Sequence, residues 1–118
     1  MKGKVVSYKL LDYADVYVVN IECEGVKAKI DVPIKLLNDL KLSLREGQEV
    51  DIEFSKELGE VEPWDIVLSG KVYKVEGDVV RASFGGLIAL IEGAPGFKVR
   101  DKLYLKIKFL RQPGAKLK

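Results

Sequence analysis

Apolar and polar residues alternate with a period of two over most of this chain, and glycine or proline interrupts the alternation at strand-length intervals. Val26, Ala28, Ile30 and Val32 alternate with Lys27, Lys29 and Asp31; Val50, Ile52 and Phe54 alternate with Asp51, Glu53 and Ser55. Near the end, Leu103, Leu105, Ile107 and Phe109 alternate with Lys102, Tyr104, Lys106 and Lys108. Successive side chains of a strand point to opposite faces, so each run predicts a strand with one face in a core and the other in water. Lys4 to Leu11, where Val6, Tyr8 and Leu10 share a parity, and Tyr17 to Cys23, with Val18 as the exception, predict two more. Asp12 to Asp15 and Glu24-Gly25 read as turns, so the first three strands form a meander.

Pro33 to Leu44 leaves this period. Leu36, Leu37, Leu40 and Leu44 fit a helical stripe, which predicts a short helix or compact turn closed by Gly47. The polar stretch Lys56 to Pro63 predicts a loop between two halves. From Trp64 the phase changes inside one run: Trp64, Ile66 and Leu68 share one parity, Tyr73 and Val75 the other, with Gly70 between them. A glycine inside a strand marks a bulge or a barrel corner, so the change is expected at Gly70. Gly77-Asp78 turns the chain into Val79 to Phe84, where Val80, Ala82 and Phe84 oppose Val79, Arg81 and Ser83. Glu92 to Arg100 predicts a loop with Phe97 projecting as an anchor, and residues 110–118 a frayed basic tail. Eight short antiparallel strands and one helical segment in 118 residues predict a single all-β domain over 1–118, a closed barrel, because closure removes exposed strand edges. No residue-level repeat is expected to link the halves.

One run breaks the rule. Gly86-Leu87-Ile88-Ala89-Leu90-Ile91 is apolar on both parities. If Leu87, Ala89 and Ile91 face one way, Ile88 and Leu90 face the other. A Leu or Ile left in water forfeits about 1.5–3 kcal/mol relative to burial. Either another part of the chain or a partner therefore covers the second face. Gly85-Gly86 permits positive φ and fits a turn that presents the strand; with no Gly-Lys-Ser/Thr after it, it is not a phosphate loop.

Composition narrows the chemistry. The 47% hydrophobic content supports a packed core, and no apolar run approaches the roughly 20 residues of a membrane-spanning helix. Met1-Lys2-Gly3-Lys4 leads straight into a strand-like run with no secretory signal. Cys23 stands alone and histidine is absent, which removes an intramolecular disulfide, a thiolate metal cluster and the commonest general base. Ser7, Ser43, Ser55, Ser69 and Ser83 lie in strands or the helical segment without a nucleophile elbow. No catalytic, cofactor-binding or metal-binding residue is expected. The net charge of +2 is uninformative as a sum, but Lys102, Lys106, Lys108, Arg111, Lys116 and Lys118 follow Asp101 with no further acid.

Several separate pieces carry a resemblance: Gly70-Lys71-Val72-Tyr73-Lys74-Val75-Glu76-Gly77-Asp78, then Ala82-Ser83-Phe84-Gly85-Gly86-Leu87, then Gly96-Phe97, then Leu103-Tyr104-Leu105. In this order and spacing they resemble the C-terminal half of the eighth subunit of DNA-directed RNA polymerase. That is the small subunit shared by the eukaryotic nuclear enzymes, which has an archaeal counterpart. The N-terminal half is similar in strand pattern only. The resemblance implies an OB-fold-like barrel and a non-catalytic subunit that docks on the largest polymerase subunit. Nucleotide addition would belong to the large subunits, and the location would be cytoplasmic, with the nucleoid-associated polymerase. Its Gly-Gly-Leu contact, carried onto this chain, falls on Phe84, Gly85, Gly86, Leu87, Ile88 and Leu90. The direct passage from Asp78 to Val79, the short Glu57 to Glu62 loop and Arg100 ahead of Asp101 depart from the eukaryotic pattern and imply a compact archaeal form. OB-type barrels also bind single-stranded nucleic acid by stacking bases on aromatics flanked by cations. For that alternative the candidates are Tyr104 between Lys102 and Lys106, and Tyr73 beside Lys71 and Lys74.

Overall fold

The alternating runs close on one another. In the computed structural model, which describes residues 1–93 and 96–110, the strands are β1 (Lys2–Leu11), β2 (Val16–Cys23), β3 (Val26–Pro33), β4 (Glu49–Ser55), β5 (Ile66–Glu76), β6 (Val79–Phe84), β7 (Leu87–Glu92) and β8 (Lys102–Phe109). They form one closed barrel in the order β1-β2-β3-β7-β6-β5-β8-β4, with every neighbouring pair antiparallel. An eight-stranded barrel is narrow enough for its inward side chains to fill it. Val5, Ile30, Val50, Ile52, Ala89, Ile91, Leu103 and Leu105 do so with no exposed surface. Closure leaves no strand edge to template aggregation. The helical stripe becomes α1 (Ile34–Asp39), shorter than the Pro33 to Leu44 run, with Pro33 at its N-cap and Leu37 buried against the barrel.

Each half is a Greek key. β1, β2 and β3 are a meander and β4 returns beside β1; β5, β6 and β7 are a meander and β8 returns beside β5. This is the fourth-beside-first order that defines the motif. The halves meet twice, at β3 against β7 and at β4 against β8, and exchanging the halves leaves the pairing pattern unchanged.

The repeat descends to single residues, which corrects the expectation that none links the halves. Gly3-Lys4-Val5-Val6 opens the first key and Gly70-Lys71-Val72-Tyr73 the second. In each the register slips at the fourth residue, between Val5 and Ser7 and between Val72 and Lys74. The Val5 N–H donates to the Gln48 carbonyl (2.9 Å), and its carbonyl accepts from the Gly47 N–H (2.7 Å). The Val72 N–H donates to the Asp101 carbonyl (2.9 Å), and its carbonyl accepts from the Arg100 N–H (2.8 Å). Gly47 and Arg100 hold the same left-handed backbone, at φ 83° and 81°.

The bulges also correct two phase assignments. The shift in the fifth strand falls at Tyr73 rather than Gly70, because a bulge inserts one unpaired residue and Tyr73 is that residue. Gly70 instead permits a close approach of backbones, since a Cβ there would collide with the Ser83 carbonyl. In β1 the same slip puts Val5 in the core and leaves Val6 exposed; Tyr8 and Leu10, which share its parity, are exposed as well. Phe97, expected to project, packs against the core with the Lys56 ammonium 5.7 Å from its ring centroid. The Lys98 N–H, donating at 2.8 Å, and the nearby Lys56 ammonium hold the Asp101 carboxyl below its usual range. The expected basic tail, beyond Leu110, lies outside the described residues.

Candidate docking face

Alternation on β7 assigns its two apolar faces. Ala89 and Ile91 are wholly buried and Leu87 packs half-buried against the core, whereas Ile88 is 37% exposed and Leu90 lies half-buried on the outer surface. The turn before the strand has φ 65° at Gly85 and 101° at Gly86, the positive values a tight two-residue hairpin needs. Phe84 closes that hairpin against Leu87 but points inward and is 7% exposed. Of the residues assigned to a contact, Gly85, Gly86, Ile88 and Leu90 therefore offer surface, while Phe84 and Leu87 anchor the strand from inside.

The internal repeat supplies a comparison within one molecule. β3 reads Val26-Lys27-Ala28-Lys29-Ile30-Asp31 and β7 reads Leu87-Ile88-Ala89-Leu90-Ile91-Glu92. They stand in equivalent places and pair with each other, Ala28 opposite Ile91 and Ile30 opposite Ala89. Inward positions keep their character. The outward ones change from Lys27 and Lys29 to Ile88 and Leu90, so nothing in the barrel architecture requires an apolar side chain there.

The rows that cross the outer surface differ in the same way. On the first key the register aligns Glu49, Lys4, Glu22, Lys27 and Glu92, all exposed and alternating in sign. The equivalent row on the second key is Lys102, Lys71, Ser83 and Ile88, ending on Asp31, whose carboxylate accepts the Ile88 N–H at 3.0 Å. One row interleaves three acids with two lysines. The other sets two lysines side by side and then an aliphatic side chain. Lys71, which the sequence marks only as a neighbour of Tyr73, gains its significance from this register with Lys102.

Lys106 is a correction. Its alternation with Leu105 and Ile107 places it on the outer face, yet it is only 1% exposed because the linker between the keys folds over it. Its Nζ donates to the Glu60 carbonyl and stands 3.5 Å from the Glu53 carboxylate. A strand's local pattern carries no information about a loop that crosses it. Of the nucleic-acid candidates, Lys102 and Tyr73 remain exposed, Tyr104 is half-buried, and Lys106 is removed. Lys106→Ala is expected to destabilise the protein by about 2–3 kcal/mol through lost packing of the buried stem, and Lys106→Met, which keeps the stem, by under about 1.5 kcal/mol. Urea unfolding of both variants checks the order.

Two pairs map onto themselves when the halves exchange: Glu53 with Lys106 and Lys29 with Leu90. They sit on opposite sides of the barrel, four strands apart in its order. The linker covers the first. Over the second, a groove of about 360 Å³ with Leu90 and Val6 in its lining stays open. Cys23, half-buried near the start of β1, has its thiol pushed above the usual range by burial. Among the described residues no cluster of three metal-ligating side chains occurs, and no helix is long and apolar enough to cross a membrane. No protein-family model matches the chain, and no curated protein matches it.

Proposed function

We propose that this chain is a non-catalytic small subunit of an archaeal DNA-directed RNA polymerase, seated on the largest subunit through the outer face of β7. The observation that carries the reading is the exchange of Lys27 and Lys29 in one strand for Ile88 and Leu90 in its internal counterpart. The similarity of residues 70–105 to the eighth polymerase subunit, in which the Gly-Gly-Leu region contributes to that contact, supplies the partner. On this reading the chain carries no chemistry of its own. It buries apolar surface against a neighbour in an interface of about 1,600 Å² if of standard size, and works in the cytoplasm with the polymerase.

Affinity capture of the tagged full chain from archaeal extract is the test. Recovery of the largest polymerase subunit in stoichiometric amount is expected, and a capture without any polymerase subunit rejects the reading. A second reading, a single-stranded nucleic-acid-binding module, is favoured by one observation, the juxtaposed cations Lys71 and Lys102 with exposed Tyr73 nearby. It is weakened by the burial of Lys106.

A further inference from the structure

We infer that the outer face of the second Greek key receives an acidic segment of another polypeptide, which sets carboxylates against Lys71 and Lys102 and an apolar side chain over Ile88. The inference rests on the docking reading above and specifies the chemistry of the partner.

Like charges directly opposite each other across a sheet are destabilising. At the equivalent place in the first key the lysine, Lys4, lies between Glu49 and Glu22. In the second key both acids are gone, replaced by Lys102 and Ser83. Among the described residues none of Lys4, Lys71 and Lys102 enters an ion pair, so the two keys differ in the charges that the register sets opposite each lysine, two acids beside Lys4 and a second lysine beside Lys71. The first key shows that the barrel accommodates compensated charge at these positions. The missing counter-charge is therefore left for something outside the chain to supply.

The order along the row selects a polypeptide. A single-strand platform interleaves aromatic rings with cations. Here the residues beyond the cations are Ser83 and Ile88, and the row closes on Asp31, a carboxylate that repels a phosphate following the same path. Cations, a hydroxyl and an aliphatic side chain match acids followed by an apolar residue. Lys102 and Ile88 lie on strands three spacings apart, roughly 14 Å at the ordinary distance between strands. An extended segment of about four residues spans that length.

The test places p-benzoylphenylalanine at Ser83 in the full chain, irradiates it in archaeal extract and maps the cross-linked peptide. A peptide with Asp or Glu within about four residues of an aliphatic or aromatic side chain is expected. Its yield should fall about ten-fold or more with Lys71→Glu and Lys102→Glu together, since facing like charges are strongly unfavourable across an interface. Lys4→Gln with Glu49→Gln, on the first key, should leave the yield unchanged. Lys71→Gln with Lys102→Gln, which introduces no new charge, should lower it in the same direction and guards against misfolding of the reversal variant. An acid-free peptide, or a yield indifferent to both lysine variants, overturns the inference even if the peptide belongs to the largest polymerase subunit, in which case the docking reading survives. An acidic, apolar peptide from a protein outside the polymerase upholds the inference and rejects the polymerase reading. Cross-linking to nucleic acid, to a second copy, or to nothing overturns it.

Discussion

Ile88→Lys combined with Leu90→Glu is expected to leave the barrel folded and to abolish capture of the partner. Ile88 lies between Ser83 and Asp31, so a lysine there gains a carboxylate neighbour, as its counterpart Lys27 has Glu92. Leu90 lies between Lys29 and Arg81, so a glutamate there is flanked by two cations. The first change restores what the first key has at Lys27, and the second places a carboxylate between two existing cations. Strand propensity and partial loss of burial set a cost within about 1 kcal/mol, and the melting temperature should stay within a few degrees of the parent. Binding behaves differently. Removing two aliphatic side chains from an interface forfeits about 1.5–3 kcal/mol each, which corresponds to roughly 10²- to 10⁴-fold in affinity. Circular dichroism melts and capture of the polymerase core measure the two effects separately. A variant that no longer folds shows that the outer face of β7 supports the barrel, and a folded variant that still binds moves the contact elsewhere.

The expected separation of folding from docking matches what the sequence reveals and what it conceals. Alternation is a local signal, and it places the inward residues of β3, β4, β6 and β8 correctly because each strand has one buried face. It also separates the faces of β7, since parity alone puts Ile88 and Leu90 together. It does not say which parity is outward there. That choice is made by Ala28 and Ile30, which pair with Ile91 and Ala89 across the joint between the keys. The repeat is visible in two runs of six residues, but its outward positions differ, Lys in one run and Ile and Leu in the other. Those differences both conceal the likeness of the runs and carry the proposed function. Lys106 fails for another reason: a contact with Glu60, distant along the chain, decides its burial.

The bulges show the same limit. Val6 and Tyr73 are unpaired because the Val5 and Val72 backbones bond across to the segments that enter β4 and β8. A glycine three residues earlier is the only local mark. It is also the better guide to mechanism, because a glycine required for close approach leaves a measurable penalty when replaced.

Gly70→Ala is accordingly expected to be among the most damaging conservative changes in the barrel. Its φ is ordinary, so no strained backbone conformation is involved; the conflict is spatial. A Cβ at this position would overlap the Ser83 carbonyl oxygen, lie 2.8 Å from the Ser83 carbonyl carbon and stand 2.6 Å from Phe84 Cδ1. Two of these three atoms are backbone, and they belong to β6 where it pairs with β5, so relief requires the strands to separate rather than a side chain to turn. At Gly3, the counterpart, the nearest atom is the Cys23 sulfur at 2.6 Å, followed by the Glu22 carbonyl oxygen at 2.8 Å. The sulfur can rotate away, so Gly3→Ala should cost less. Overpacking of a dense interior costs about 1–3 kcal/mol and occasionally more. Gly70→Ala belongs at or above the top of that range, a fall of roughly 10–20 °C in melting temperature for a domain of this size. The damage should reach the proposed docking face as well, because Ser83 lies between Lys71 and Ile88 in the outer row. Below the melting transition, a folded Gly70→Ala protein should therefore bind the polymerase core more weakly than parent, whereas Gly3→Ala, which strains the sign-alternating row of the first key, should bind normally. Equal melting temperatures for Gly70→Ala and parent would mean that β5 and β6 are free to move apart, and the glycine shared by the two keys would then have no packing role.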